Sequence, residues 1–185
     1  MQVLFTKEQI AKRVREIAGE ISRKYAGRPL TLVGVLRGGA PFLVDLMREL
    51  KCGPPGTAAP TIDVEIDFIS VGSYGAAQES SGVVTIHKDL TGDISGRNVI
   101  IVDDICDSGR TIAKLKKMFE RMAASGAPEA APPTCEVAVV LSKPSRRVVD
   151  VELEYVGFVI PDKFVVGYGM DSGNKYRNLD AIYSI

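Results

Sequence analysis

The sequence predicts an α/β domain in which helices flank a twisted, mostly parallel sheet. Two kinds of segment carry that expectation. Short β-branched apolar runs such as Val99 to Val102 are long enough for a strand and too short for a helix, and having no polar face they read as strands covered on both sides. Between such runs, apolar residues recur at helical spacing: Ile10, Val14, Ile17, Ala18 and Ile21 in one stretch, Ile112, Leu115, Met118, Phe119 and Met122 in another. A chain of 185 residues fits one domain, residues 1–185, with a sizeable core. Lys and Arg number 23 and Asp and Glu number 23, so no bulk charge favours nucleic acid or an anionic membrane as partner. Cys52, Cys106 and Cys135 form no Cys-x-x-Cys pair and read as reduced thiols. With no basic leader before an apolar region and no apolar run of membrane length, the cytoplasm is the expected compartment.

Taken in order, Thr6-Lys7-Glu8-Gln9 is a capping-box pattern that starts the first helix, and Gly27 and Pro29 close it. Leu30 to Leu36 is a buried strand, followed by Arg37-Gly38-Gly39 and a helix from about Pro41 to Leu50. Strand, cation, glycine pair and helix start form a candidate anion site, although a glycine pair is as readily a plain tight turn. Residues 52–60 are a loop by composition. Val64, Ile66 and Phe68 alternate with Asp63, Glu65 and Asp67, as a half-buried strand requires. Residues 70–82 are small, polar and glycine-rich and contain Ser73-Tyr74; a strand resumes from Val83 to His87. His87 is the sole histidine and has no nucleophile pattern beside it, so it reads as a strand end.

The chemistry concentrates after Val102. The strand ends in adjacent carboxylates, Asp103 and Asp104; Asp107 follows, and Ser108-Gly109-Arg110-Thr111 opens a helix. Ligands of open α/β sheets bind beyond the carboxyl ends of the strands, and a helix N-terminus with backbone N–H groups and hydroxyls is a phosphate cradle. Gly109 would let that turn approach a ligand closely. Acids beside a phosphate make sense if they face hydroxyls, a proton, a developing cation or a metal. The plainer alternative is a strand end followed by a helix cap. Val-Ile-Ile-Val-Asp-Asp-Ile-Cys-Asp-Ser-Gly-Arg-Thr resembles the phosphoribosyl-diphosphate signature of the type I phosphoribosyltransferases.

Residues 125–133 form an Ala/Pro-rich loop, Glu136 to Leu141 a strand ending in Ser142-Lys143-Pro144, and Tyr155 to Ile160 the last long apolar run. Asp162-Lys163-Phe164-Val165 has the parts of a base reader: an aromatic face to stack, an ammonium to donate to an exocyclic oxygen, and backbone for the base edge. It can equally be a surface turn with Phe164 packed on the core. Gly167-x-Gly169 is no dinucleotide fingerprint, since Ser172 stands where a third glycine belongs, and no Walker A sequence occurs. Ile160-Pro-Asp-Lys-Phe-Val-Val-Gly-Tyr-Gly-Met-Asp with Lys175-Tyr176-Arg177 closely resembles the hypoxanthine-guanine phosphoribosyltransferases.

That resemblance implies the type I phosphoribosyltransferase fold with a small hood, mainly residues 160–185. It implies transfer of 5-phosphoribose from phosphoribosyl diphosphate to N9 of a 6-oxopurine, with Mg2+ as cofactor. Asp103 and Asp104 would hold ribose hydroxyls, Asp107 would be the general base, and Ser108, Gly109, Arg110 and Thr111 would grip the 5′-phosphate. Leu36, Arg37 and Gly38, where the family has a cis peptide before the basic residue, would bind pyrophosphate with Arg177. Lys143 would contact the ribose and help position the acids. Lys163 would read O6, Phe164 would stack, and Val165 would bond the base edge. Asp171, with Asp103 and Asp104, would hold the metal, and Ser73-Tyr74 would close a lid. A homodimer or homotetramer binding small-molecule substrates is implied. Asp103 stands where glutamate is frequent, Ser108 where threonine is, and Ser172-Gly173-Asn174-Lys175 is more polar than usual. An RNA-binding regulator of the same fold, or a phosphorelay receiver with its own acidic pocket, are the competing readings.

Overall fold

A computed structural model describes residues 1–51, 62–73, 84–125 and 133–185, with the side chains of Ser73 and Val84 excepted. The elements are β1 (Gln2–Phe5), α1 (Lys7–Lys24), β2 (Pro29–Leu36), α2 (Ala40–Glu49), β3 (Asp63–Ser73), β4 (Val84–Lys88), β5 (Asn98–Cys106), α3 (Arg110–Ala124), β6 (Cys135–Ser142), β7 (Tyr155–Val159), β8 (Val165–Val166) and β9 (Ile182–Ser184). The 52–60 loop, Tyr74 with most of the 70–82 segment, and most of the 125–133 loop lie outside the described residues.

The two-faced apolar pattern of β5 sets the layers. Ile100 and Val102 pack into one core with Ile10, Val14, Ile17 and Ile21 of α1 and Phe42, Leu43 and Leu46 of α2. Val99 and Ile101 point the other way, into a second core with Ile112, Leu115, Phe119 and Ala123 of α3. Residues of the Phe119 and Leu46 kind each contribute roughly 1.5–3 kcal/mol when buried, so both faces of the strand are held. The main sheet runs β4-β3-β2-β5-β6-β7. All its pairings are parallel except β3 with β4 at the edge.

The capping box forms as the sequence predicts. The Thr6 backbone N–H donates to Gln9 Oε1 at 2.8 Å and the Gln9 N–H to Thr6 Oγ1 at 3.4 Å. Upstream of it lies a strand the sequence reading lacked. β1 pairs antiparallel with β9, which pairs antiparallel with β8, so the N-terminus joins the hood segment in a three-stranded sheet. Phe5 stacks on Phe158 of β7 with ring centroids 3.9 Å apart, which fastens this small sheet to the large one.

Candidate active site

Strand order reverses between β2 and β5, the point where open α/β sheets leave a crevice. The loops leaving these two strands face each other there. Gly38 lies so close to Asp104 that a methyl group on it would stand 1.8 Å from Asp104 Oδ2, so any side chain at 38 must displace the Asp104 carboxylate. The Leu36–Arg37 peptide is cis. Arg37 itself is exposed, and its Nη1 reaches Asn174 Oδ1 at 3.4 Å.

Two cavities meet at Asp104, Ile105 and Asp107. The smaller, 240 Å³, is lined by Leu36 and Gly38 on one side and by Ser108, Gly109, Thr111 and Ile112 of the α3 start on the other, with Asp103 beneath. Arg110 lends no side chain to it; its N–H bonds Ser108 Oγ at 3.4 Å. Gly109 has φ +81, and a Cβ there would sit 2.5 Å from the Val149 carbonyl oxygen. Its lack of a side chain thus serves the turn and the packing of residues 147–151 behind it, where the sequence suggested room for a ligand.

The larger cavity, 380 Å³, runs from Asp104 and Asp107 past Lys143 and Arg146 to Asp162, Phe164, Val165, Met170 and Asp171. It brings together the acidic stretch and the C-terminal segment as the sequence anticipated. The two candidate lysines differ in burial. Lys143 is 7% exposed and lines this cavity, with its Nζ 3.7 Å from Asp162 Oδ1. Lys163 is exposed and does not line it. The backbone goes with the difference: Lys163 N–H closes a tight turn onto the Pro161 carbonyl at 2.8 Å, and Phe164 and Val165 line the cavity while the lysine between Asp162 and Phe164 stays in solvent. Phe164, 56% exposed, presents a ring free to stack.

Asp103 is buried, and burial together with the neighbouring Asp104 carboxylate pushes its pKa well above the usual range. Burial raises Asp104 as well, so the pair retains a proton more tightly than ordinary carboxylates do. Arg177 is not among the residues lining either cavity; behind the chamber wall its Nη2 pairs with Asp171 Oδ1 at 2.5 Å and its Nη1 donates to the Gly169 carbonyl at 2.7 Å. Its Nε is buried with no hydrogen-bond partner among the described residues. Ser73 ends β3; Tyr74 lies outside the described residues.

Sequence reasoning missed Arg146 and gave Asp162 no role of its own within the 162–165 segment. Arg146 Nε donates to Asp107 Oδ1 at 2.8 Å and its Nη1 to Asp162 Oδ2 at 3.1 Å. A signal existed: Lys143, Arg146 and Arg147 cluster just past the carboxyl end of a buried strand, where ligands bind.

Residues 3–173 match the family model described as the phosphoribosyl transferase domain. The chain is 38% identical over 182 residues to a hypoxanthine-guanine phosphoribosyltransferase of Streptococcus pneumoniae, covering 98% of this chain and 91% of that one. It is also 38% identical over 181 residues to the bifunctional protein TilS/HprT of Listeria monocytogenes; there it covers 98% of this chain but spans only 25% of the relative. A solved hypoxanthine-guanine phosphoribosyltransferase from Bacillus anthracis superposes with a TM-score of 0.85 at 41% identity, over 100% of this chain and 98% of that one. The chain belongs to the phosphoribosyl transferase domain family, among the hypoxanthine-guanine phosphoribosyltransferases.

Proposed function

We propose that the protein transfers the 5-phosphoribosyl group of phosphoribosyl diphosphate to N9 of hypoxanthine or guanine, releasing nucleotide and pyrophosphate in purine salvage. The observation that carries this reading is the pair of joined cavities. A phosphate cradle at the start of α3 opens, across Asp104 and Asp107, into a chamber walled by Phe164, Val165 and Lys143. Sugar phosphate and base would then meet at the carboxylates. Ser108, Gly109, Arg110 and Thr111 hold the 5′-phosphate through backbone N–H groups and hydroxyls. Asp103 and Asp104 accept hydrogen bonds from the ribose hydroxyls. As the C1–oxygen bond breaks, the ribose gains positive charge, and fixed carboxylates nearby stabilise it. Asp107 takes the proton from the purine N7.

Leu36, Arg37, Gly38 and Arg177 are assigned to the pyrophosphate. The 6-oxo group, which the resemblance gives to Lys163, is assigned here to Lys143, because Lys143 is the lysine that lines the chamber with Phe164 and Val165. Asp171 and Asp104 are separate oxygen donors on the chamber wall, and the described residues hold no cluster of three metal-ligating side chains. That set suits Mg2+, which keeps several waters and takes its remaining ligands from substrate phosphates. Bound there with Asp103 close by, Mg2+ would supply charge neutralisation for the leaving diphosphate. Ser73 and Tyr74 as a lid, residues 160–185 as the main part of the hood, and a homodimer or homotetramer complete the reading. Cys106 and Cys135 are buried free thiols, as suits a reducing cytoplasm; no helix among the described residues is long and apolar enough to cross a membrane.

The test is nucleotide formation from phosphoribosyl diphosphate and Mg2+ with hypoxanthine, guanine, xanthine, adenine and uracil offered separately. Turnover of hypoxanthine or guanine with none of adenine or uracil is expected. Failure with every 6-oxopurine would overturn the assignment.

A further inference from the structure

Asp107 has two carboxylate oxygens, and Arg146 Nε holds one of them, Oδ1, at 2.8 Å. That leaves Oδ2 to face a purine. The other arm of the same guanidinium reaches Asp162 Oδ2 at 3.1 Å, and the opposite oxygen of Asp162 lies 3.7 Å from Lys143 Nζ. Asp107, Arg146, Asp162 and Lys143 therefore form an unbroken chain of alternating charge along one wall of the 380 Å³ chamber. A guanidinium is a planar fork of fixed geometry, so it sets the spacing of the two carboxylates it joins, which an ammonium on a flexible stem would not do.

The platform under the fork is itself tied down. Arg146 ends a single 3-10 turn, Pro144–Arg146, and its N–H bonds the Lys143 carbonyl at 3.1 Å. Arg147 anchors the next position by donating to Ser142 Oγ at 2.9 Å and to Cys106 Sγ. Val148 and Val149 N–H groups both bond the Ser108 carbonyl at 3.0 Å. Residues 143–149 are thereby fastened to the 106–108 loop that carries Asp107, and the bridge spans from that loop to the head of the base-facing segment 162–165.

Resting on the transferase reading above, we propose that Arg146 is a positioning residue for the reaction: it turns the Asp107 carboxylate so that one oxygen faces N7 and locks that base to the segment that holds the purine. As an ion pair on a half-exposed side chain it contributes little to stability, so its effect should be read in kinetics.

Its action through Asp107 can be tested with a double-mutant cycle. Arg146→Ala is expected to lower kcat for hypoxanthine about 10- to 100-fold, as loss of orientation at a reacting centre does, with KM for phosphoribosyl diphosphate within about twofold. Asp107→Asn should lower kcat by ~10²–10⁴-fold. Adding Arg146→Ala to Asp107→Asn should then cost no more than about twofold, because the group being oriented has lost its role. Arg146→Lys, which keeps charge and stem but cannot span both carboxylates, should show most of the Arg146→Ala loss. An equal Arg146→Ala loss in both backgrounds, full activity in the lysine variant, or faster turnover in Arg146→Ala would each overturn the proposal. Wild-type turnover in the same assay keeps this outcome separate from the broader reading, which falls only if the unmodified protein uses no 6-oxopurine.

Discussion

At the scale of single residues, burial separates two chemically identical side chains, Lys143 and Lys163. Both can donate to a purine oxygen, and the shorter motif containing Lys163 is the more suggestive on paper. Lys143 emerges from the last residues of a fully buried strand, which carries it into the chamber, whereas Lys163 sits on a tight turn at the surface. A hydrogen bond from a charged donor is worth about 1.5–3 kcal/mol. Lys143→Gln is therefore expected to raise KM for hypoxanthine and guanine by roughly 10- to 100-fold with little change for phosphoribosyl diphosphate, while Lys163→Gln should leave all three within about threefold. Steady-state kinetics with each substrate varied in turn would check this, and the reverse ranking would return the reader role to Lys163. Asp103 and Asp104 carry a related lesson. Their adjacency is plain in the sequence, but the raised proton affinity comes from a desolvated strand end buried between layers.

At the scale of elements, two strand–loop–helix units, β2 with α2 and β5 with α3, converge at one crevice, and their loops are cut to fit each other. Gly38 nestles against the Asp104 carboxylate, and Gly169 of the C-terminal segment, at φ +96, comes so near Gly38 that a Cβ on it would lie 2.1 Å from the Gly38 carbonyl oxygen. Gly38→Ala must push the Asp104 side chain aside, and a displacement near 1 Å at a reacting centre can cost about 100-fold. The expected result is a fall in kcat/KM for phosphoribosyl diphosphate on that order with a cooperative thermal transition retained; unchanged kinetics would show that Asp104 can move without consequence. The units differ in how plainly they could be read. β5 is legible because both its faces are apolar up to the acids it carries, and α1 because its cap is a local pattern of four residues that forms as written. β1 was not legible: four residues offer too short an alternation to count, and only pairing with β9 makes them a strand.

At the scale of the whole molecule, buried acids of opposite tendency shape stability against pH. Burial alone would raise Asp67, but N–H bonds from Gly92, Phe68 and Thr91 more than offset it and hold its pKa below the usual range. Burial likewise works against Glu136, which Lys24 and the Tyr155 hydroxyl nevertheless hold low. The stability these two contribute is complete above the unfolded carboxylate pKa, near 4, and is lost as pH falls through their lower folded values. Asp103 and Asp104 run the other way: their folded pKa values are raised, so they destabilise the fold at neutral pH and that cost is relieved as pH falls toward the unfolded value. The midpoint of urea unfolding is thus expected to rise from pH 7 to about pH 4.5 and to fall below about pH 4. Asp103→Asn should flatten the rise by stabilising the neutral-pH protein. A midpoint that falls steadily from pH 7 downward, or an Asp103→Asn variant with an unaltered profile, would contradict this account.

The sequence by itself determined the layered α/β order, the capped first helix, the strand that carries Asp103 and Asp104 with a helix start beyond it, and the segment from Ile160 to Arg177 that marks the family; the strand's end it placed too early, since sheet pairing runs on to Cys106. These are legible because periodicity, caps and turn chemistry act between residues a few positions apart. Tertiary structure alone decided that the N-terminus completes the hood sheet, that Lys143 rather than Lys163 lines the chamber, that burial raises the proton affinity of Asp103 and Asp104, and that Arg146 joins Asp107 to Asp162. Each of those depends on burial or on the meeting of side chains from separate elements, Arg146 and Asp107 being 39 positions apart, and no local pattern encodes a distance across a crevice.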